Sequence, residues 1–349
     1  MIRTNRRLNL IEGYIPSNRT YDVNVKKLDW NECNLKFDID LKNKLISSIK
    51  NINFSEYPNI NNEKLLKKLS KYCNVTKESV QIFNGSDSAL HYIFATFLNI
   101  DTKVLIFYPN YNQIETFIKL YSDNISYSKI KDPFGVHEYE VNEVEKNDVI
   151  YISNPNNPTG HLLEPEFIED LLVKFPNKLF IIDEAYYEFA KKSCSSYVKK
   201  YKNLIVTRTF SKALSLASVR LGYICADKNL IKSINKIRNT KEVNSFAQNL
   251  GEVILDNLSL IDGRINKINR NKHKFERVLD ENNIEYVKSQ TNFILIRIKN
   301  SKKIISDLKN ENILVRDRSM FEGLENTIRI TIGEWEDMKK ISKIILNNK

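Results

Sequence analysis

In TFSKALSLASVR, residues 209–220, Lys212 follows Ser211 just beyond an apolar run. Such a lysine is either a solvated residue opening a helix or a Schiff-base nucleophile. The second role needs a sheltered site that lowers its pKa. Arg220 lies eight residues on. With Thr209 and Ser211 it can hold a phosphate through two hydroxyl donors and a charge-assisted guanidinium fork. In KLFIIDEAYYEF, residues 178–189, Asp183 closes an apolar strand. Open α/β sheets bind ligands at the carboxyl ends of buried strands, although an acid there can equally cap a helix. A buried carboxylate needs a cationic partner to stay ionised, and a protonated pyridine nitrogen is one. Tyr186 adds a phenolic donor three residues further on.

Three more segments follow strand ends. ISNPNNPTG, residues 152–160, is a tight turn marked by two Asn-Pro steps and a glycine; Asn157 in it is either a turn residue or a fixed amide donor. In FNGSDSAL, residues 83–90, Ser86 and Asp87 open a helix, where backbone N–H groups favour an anion or the residues act only as caps. In FYPNYNQ, residues 107–113, Tyr111 can stack on a flat ligand or fill the core.

The elements that position these residues are short apolar runs at 80–83, 103–108, 125–129, 148–153, 178–183, 203–207 and 221–225. Continuous apolar runs of this length suit strands covered by helices on both faces. Seven of them alternating with helical stretches predict a three-layer α/β/α domain with a mostly parallel seven-stranded sheet. A long helix is expected over 229–256, then a small α+β domain with strands at 292–298, 313–315 and 327–331 and helices near 266–282, 301–310 and 336–346. The expected division is an N-terminal segment 1–55 packing with the small domain, a large domain 56–250 and a small domain 251–349.

Composition excludes several classes. The 349 residues include nine glycines, none spaced G-x-G, and no G-K-[ST], so neither the dinucleotide fingerprint nor the Walker loop is present. Four cysteines without a C-x-x-C and four histidines without H-E-x-x-H give no metal site and no disulfide framework; a reducing cytoplasm is expected. The N-terminal MIRTNRRLNLIEGYI has no apolar core of a secretory signal, and no apolar run approaches membrane-spanning length. The net charge of +11 is spread along the chain among Asn and Glu, which reads as a solvated surface rather than a nucleic-acid footprint.

The order and spacing of LDWNE, Tyr57-Pro58, NGSDSA, PNY, NPNNPTG, DEAYYEF, RTFSKALSLASVRLGY, ILVRD and IRITIG carry more than each segment alone. From Leu28 to the C-terminus the chain resembles the fold type I pyridoxal-phosphate enzymes, in particular class I/II aminotransferases of the histidinol-phosphate aminotransferase branch. The resemblance implies pyridoxal 5'-phosphate as cofactor, with Lys212 forming the Schiff base and shuttling the proton. It implies that Asp183 pairs with the pyridinium nitrogen, Asn157 and Tyr186 bond the ring hydroxyl, and Tyr111 stacks on the ring. Ser86, Asp87, Thr209, Ser211 and Arg220 would hold the cofactor phosphate, with Tyr57 reaching it from the other subunit of a homodimer. Arg329 would grip a substrate carboxylate.

The chain departs from the branch at Ser88, where an acid is usual, at Gly13-Tyr14, and at Asn31-Glu32-Cys33-Asn34, which lacks the usual proline. Tyr14, Asn31 and Arg316 are therefore candidate substrate contacts. In VRDR, Arg316 and Arg318 lie near the strand that presents Arg329. One arginine can serve a donor carboxylate and another an acceptor phosphate; alternatively Arg316 pairs with Asp317 and Arg318 is solvated. The expected reaction moves an amino group from an amino acid, L-glutamate, to a small phosphorylated keto or aldehyde acceptor. The alternatives are decarboxylation of a phosphorylated amino acid on the same scaffold, and a non-catalytic regulator.

Overall fold

The computed structural model describes residues 7, 8, 11, 24–135 and 138–349; the candidate Tyr14 lies outside them. After a two-residue strand, Lys26–Lys27 (β1), seven apolar runs form one sheet: Val80–Phe83 (β2), Val104–Tyr108 (β3), Ile125–Lys129 (β4), Val149–Ser153 (β5), Leu179–Asp183 (β6), Leu204–Thr209 (β7) and Gly222–Ala226 (β8). Their order is β2-β8-β7-β6-β5-β3-β4. β5, β7 and β8 are buried at every residue, which explains the apolar runs that open β5 and β7 and fill the middle of β8. β4, at the edge, reads ISYSK and is mostly part-exposed, as an edge strand should be.

The pairs β4/β3, β3/β5, β5/β6 and β6/β7 are parallel, while β8 runs antiparallel to both β7 and β2. All strands but β8 thus point one way, and the segments that follow them gather at one edge of the sheet. β3 leads outward to β4 whereas β5 lies on the other side of β3, so the chain reverses its winding there. Ligands bind at such a switch point. Two apolar clusters cover the sheet, one on each face.

A second sheet has the order β12-β13-β10-β9, with Glu285–Tyr286 (β9), Phe293–Arg297 (β10), Arg316–Asp317 (β12) and Thr327–Thr331 (β13) antiparallel throughout. Ile313–Leu314 (β11) does not join it but pairs in parallel with β1. The expected strand 313–315 is therefore two short ones serving different partners. The N-terminal segment also reaches this sheet through Leu28, whose carbonyl accepts from Thr331 N at 3.0 Å.

The continuous helix expected over 229–256 is instead two helices, Lys228–Asn235 and Ser245–Asp256. Asn244 caps the second one, its side chain accepting from Ala247 N at 2.8 Å. The connector 236–244 turns inward and buries Arg238 and Val243. The helix expected at 266–282 begins earlier, at Leu258, and runs to Glu281 on a buried stripe of Ile261, Ile265, Ile268, Phe275 and Leu279.

Candidate active site

Each chemically suggestive segment begins where a strand ends. Asp183 is the last residue of β6 and sits opposite Thr207 of β7. Its Oδ2 accepts from the Tyr151 hydroxyl at 2.8 Å, and its Oδ1 from Thr207 Oγ1 at 3.0 Å and Ala185 N at 3.2 Å. Burial pushes its carboxyl up to about 6, and the two hydroxyl donors oppose that rise. Asp183 is thus ionised at neutral pH inside an apolar wall. The next residue, Glu184, turns to the opposite side and pairs with the buried Arg208 at 2.9 Å, which locks β6 to β7 behind the site.

Lys212 follows β7. Its Nζ donates to the carbonyl of Trp30 at 2.8 Å. Burial first, and then the Arg329 guanidinium, lower its ammonium to about 8. That is the environment a Schiff-base lysine requires, because a useful share of the amine is neutral near physiological pH.

The turn between β2 and the helix Ser86–Phe97 forms a cradle. Gly85 has φ +86°, and a Cβ there would lie 2.7 Å from Arg220 Nη2. A Cβ on Gly222 would lie 2.4 Å from Ser86 N, so the first turn of the helix rests directly on β8. Arg220 reaches Asp87 Oδ2 at 3.4 Å and Ser211 Oγ at 3.3 Å. Ser211 Oγ in turn accepts from Thr209 Oγ1 at 3.0 Å. Backbone N–H groups at a helix start, two hydroxyls and a guanidinium make a phosphate-type donor set. A phosphorylated aldehyde with a basic ring nitrogen fits these residues: the cradle at one end, Asp183 at the other, Lys212 nearby.

The second sheet carries the candidate substrate contacts Arg316 and Arg329. Arg329 of β13 is 3% exposed; its Nη1 donates to Asn157 Oδ1 at 2.5 Å and its Nη2 to Asp29 O at 2.6 Å. Burial lowers its pKa to about 10, with a further contribution from Arg316. Arg316 lies directly opposite Arg329 across the strand pair. Asn31 adopts φ +59° and donates through Nδ2 to the Tyr186 hydroxyl at 2.8 Å. Arg318 is buried, with its guanidinium 5.7 Å from the Phe321 ring centre, so the solvated alternative for it does not hold. Tyr111 is part-buried against the apolar cluster on its face of the sheet. Tyr57 is 78% exposed, with the Lys241 ammonium 3.9 Å over its ring.

Sequence reasoning missed Tyr151 and Thr207, which hold Asp183, and Glu242, which bonds Ser88. Thr207 left a usable signal, a hydroxyl within an apolar run directly in register with the acid.

A family model described as aminotransferase class I and II matches residues 25–345. The chain belongs to that family. The histidinol-phosphate aminotransferase of Clostridium novyi is 32% identical over 326 residues, covering 91% of each chain. The dihydroxyacetone phosphate transaminase of Campylobacter jejuni is 33% identical, covering 92% of this chain and 89% of its own. Among solved structures, the histidinol-phosphate aminotransferase of Sinorhizobium meliloti in complex with pyridoxal-5'-phosphate superposes with a TM-score of 0.82 at 19% identity, over 93% of this chain and 92% of that one. The L-threonine-O-3-phosphate decarboxylase of Porphyromonas gingivalis gives 0.77 at 26%, over 90% and 98%. The aminotransferase is pyridoxal-phosphate-dependent and histidinol-phosphate aminotransferase-like, with the fold type I architecture. No helix among its described residues is long and apolar enough to cross a membrane.

Proposed function

We propose that this aminotransferase moves an amino group from L-glutamate to a small keto or aldehyde acceptor that carries a phosphate. The observation that carries the reading is the register of Arg316 opposite Arg329, two guanidinium groups on one face of a strand pair, of which Arg329 lies close enough to Lys212 to depress its pKa. Arg329, fixed by Asn157 and Asp29, is the fork for an α-carboxylate; Arg316 takes the acceptor's phosphate. The similarity to enzymes named for histidinol phosphate and dihydroxyacetone phosphate supports a phosphorylated acceptor.

Pyridoxal phosphate supplies an electron sink for the bonds at the substrate's Cα. Asp183 would hold its ring nitrogen protonated, Asn157 and Tyr186 its ring hydroxyl, and Tyr111 its face. Ser86, Asp87, Thr209, Ser211 and Arg220 would hold its phosphate. Lys212 Nζ, with its lowered pKa, is the base that takes the proton from Cα and returns it. Asn31 orients the Tyr186 hydroxyl from the substrate side, and Tyr14 is a further candidate contact there.

The active form we propose is a homodimer, with 56–250 as the cofactor domain, 251–349 as the small domain, and 1–55 packing with the latter. Phe54 is 80% exposed, 5.7 Å from the ring of the part-exposed Phe246, and Ile60 and Tyr57 are also exposed. An apolar patch of this kind is covered in stable assemblies. Tyr57 would then reach the neighbouring subunit's cofactor phosphate. Four unpaired thiols suit a reducing cytoplasm.

The test is to assay acceptors in pairs differing only by the phosphate, such as dihydroxyacetone phosphate against dihydroxyacetone, on wild type and Arg316→Ala. The phosphorylated acceptor should be strongly preferred by wild type and lose that preference in the variant. Equal turnover of both acceptors by wild type defeats the reading. Carbon dioxide release from O-phospho-L-threonine, without amino transfer, would select the decarboxylase reading.

A further inference from the structure

Ser88 is the third residue of the helix Ser86–Phe97, where the resembled enzymes carry an acid. An acid in that position ordinarily reaches back to the N–H groups before the helix and fixes the turn. Here a carboxylate arrives from a distant part of the chain. Glu242, in the connector 236–244, accepts the Ser88 hydroxyl at 2.8 Å, and the nearby backbone N–H of Asn84 favours its ionised form. Arg238 approaches its other oxygen at 3.9 Å, and both side chains are more than nine-tenths buried. Arg238 is itself held by Asn235 Oδ1 at 2.9 Å and by the carbonyl of Asn239 at 3.2 Å. That burial excludes a freely solvated role for Glu242; its Oε2 is held by Ser88, while its Oε1 has no hydrogen bond and faces the Arg238 charge at 3.9 Å. The Asn84–Ser88 turn is therefore gripped twice. Arg220 lies against Gly85, and Glu242 holds Ser88.

We propose that Glu242 is a positioning residue for the cofactor-phosphate turn, a remote carboxylate standing in for the acid absent at Ser88. The inference rests on the phosphate-holding role proposed above for Ser86, Asp87 and Arg220. It also accounts for the interruption of the helix between Asn235 and Ser245, because a continuous helix would not bring Glu242 onto the turn.

The experiment titrates apoenzyme with pyridoxal phosphate and, separately, with pyridoxal, which lacks the phosphate. Glu242→Asn should weaken pyridoxal phosphate binding roughly tenfold, the loss of one hydrogen bond to a charged group, and leave pyridoxal binding unchanged. The double variant Ser88→Glu/Glu242→Asn moves the carboxylate onto the helix and should recover most of the affinity. Wild-type affinity in Glu242→Asn, an equal loss for pyridoxal, or no recovery in the double variant overturns the inference. If Glu242→Asn does not fold by circular dichroism, Glu242→Gln, which keeps the shape and removes the charge, carries the same expectations. Arg220→Ala separates the two levels. A loss there beside an unaffected Glu242→Asn overturns this inference alone, and no loss in either overturns the phosphate reading as well.

Discussion

A single ammonium and a single carboxylate define the chemistry, and each is set by its surroundings. Lys212→Ala should abolish both turnover and the visible absorption of the bound cofactor, since the chain offers Trp30 O and the desolvated pocket to that amine. Retention of the absorption band in the variant would refute its role. Asp183 is held near 6 by the balance of burial against donors. Removing a donor destabilises the ionised form and raises the pKa. Thr207→Val should therefore move the acid limb of the pH–rate profile upward by about one unit, the equivalent of one hydrogen bond. A limb that stays in place, or moves down, contradicts this. For folding the sign is opposite to that of a salt-bridged acid. Asp183 sits above its ordinary 3.8, so its contribution to stability is greatest below that value and is lost as pH rises through about 6.

At the scale of elements, the cradle depends on two close approaches that leave no room for a side chain. Gly222→Ala would drive a methyl into the backbone of Ser86. The expected cost is about 1–3 kcal/mol of stability together with weaker cofactor binding, read by thermal unfolding of apoenzyme and by cofactor titration. Unchanged values in both would mean that the turn yields freely. The strands were legible because apolar runs end abruptly in Asp183, Thr209 or Tyr108, and period and length leave few alternatives. The helix break at 236–244 was not, because no Gly or Pro marks it and the connector's contact is with the distant Ser88. The two-residue strand β1 lay below any periodicity and exists only by pairing with β11, which lies within the expected strand 313–315. Within the candidate site, the residues proposed to meet a ligand were legible as polar groups closing strands. Their support Tyr151 was not, since a Tyr inside a strand satisfies β propensity without further cause; Thr207 left only the signal of a hydroxyl within an apolar run.

For the whole molecule, the exposed ring of Tyr57 and the neighbouring Phe54 are the surface that the proposed homodimer would cover. Light scattering at micromolar concentration should report twice the chain mass. Mixed inactive Tyr57→Ala and Lys212→Ala subunits should regain part of the activity, because a mixed dimer restores one site with both residues. A fully active monomer would contradict the shared site.

Arg316 facing Arg329 has a consequence for folding as well as recognition. Like charges directly opposite on adjacent strands repel, by about 0.2–1 kcal/mol. The protein folds against that repulsion and is less stable than its sheet permits, a trade between stability and activity. Replacing Arg316 with Thr should raise the Tm of the apoenzyme by about 1–2 °C while impairing turnover of phosphorylated acceptors. Inorganic phosphate, acting as a counter-ion, should raise the Tm of wild type more than that of the variant. A variant that melts below wild type would show that the two arginines do not oppose each other. With the expected shifts, the candidate catalytic pocket is the place where this fold is least settled until an anion enters it.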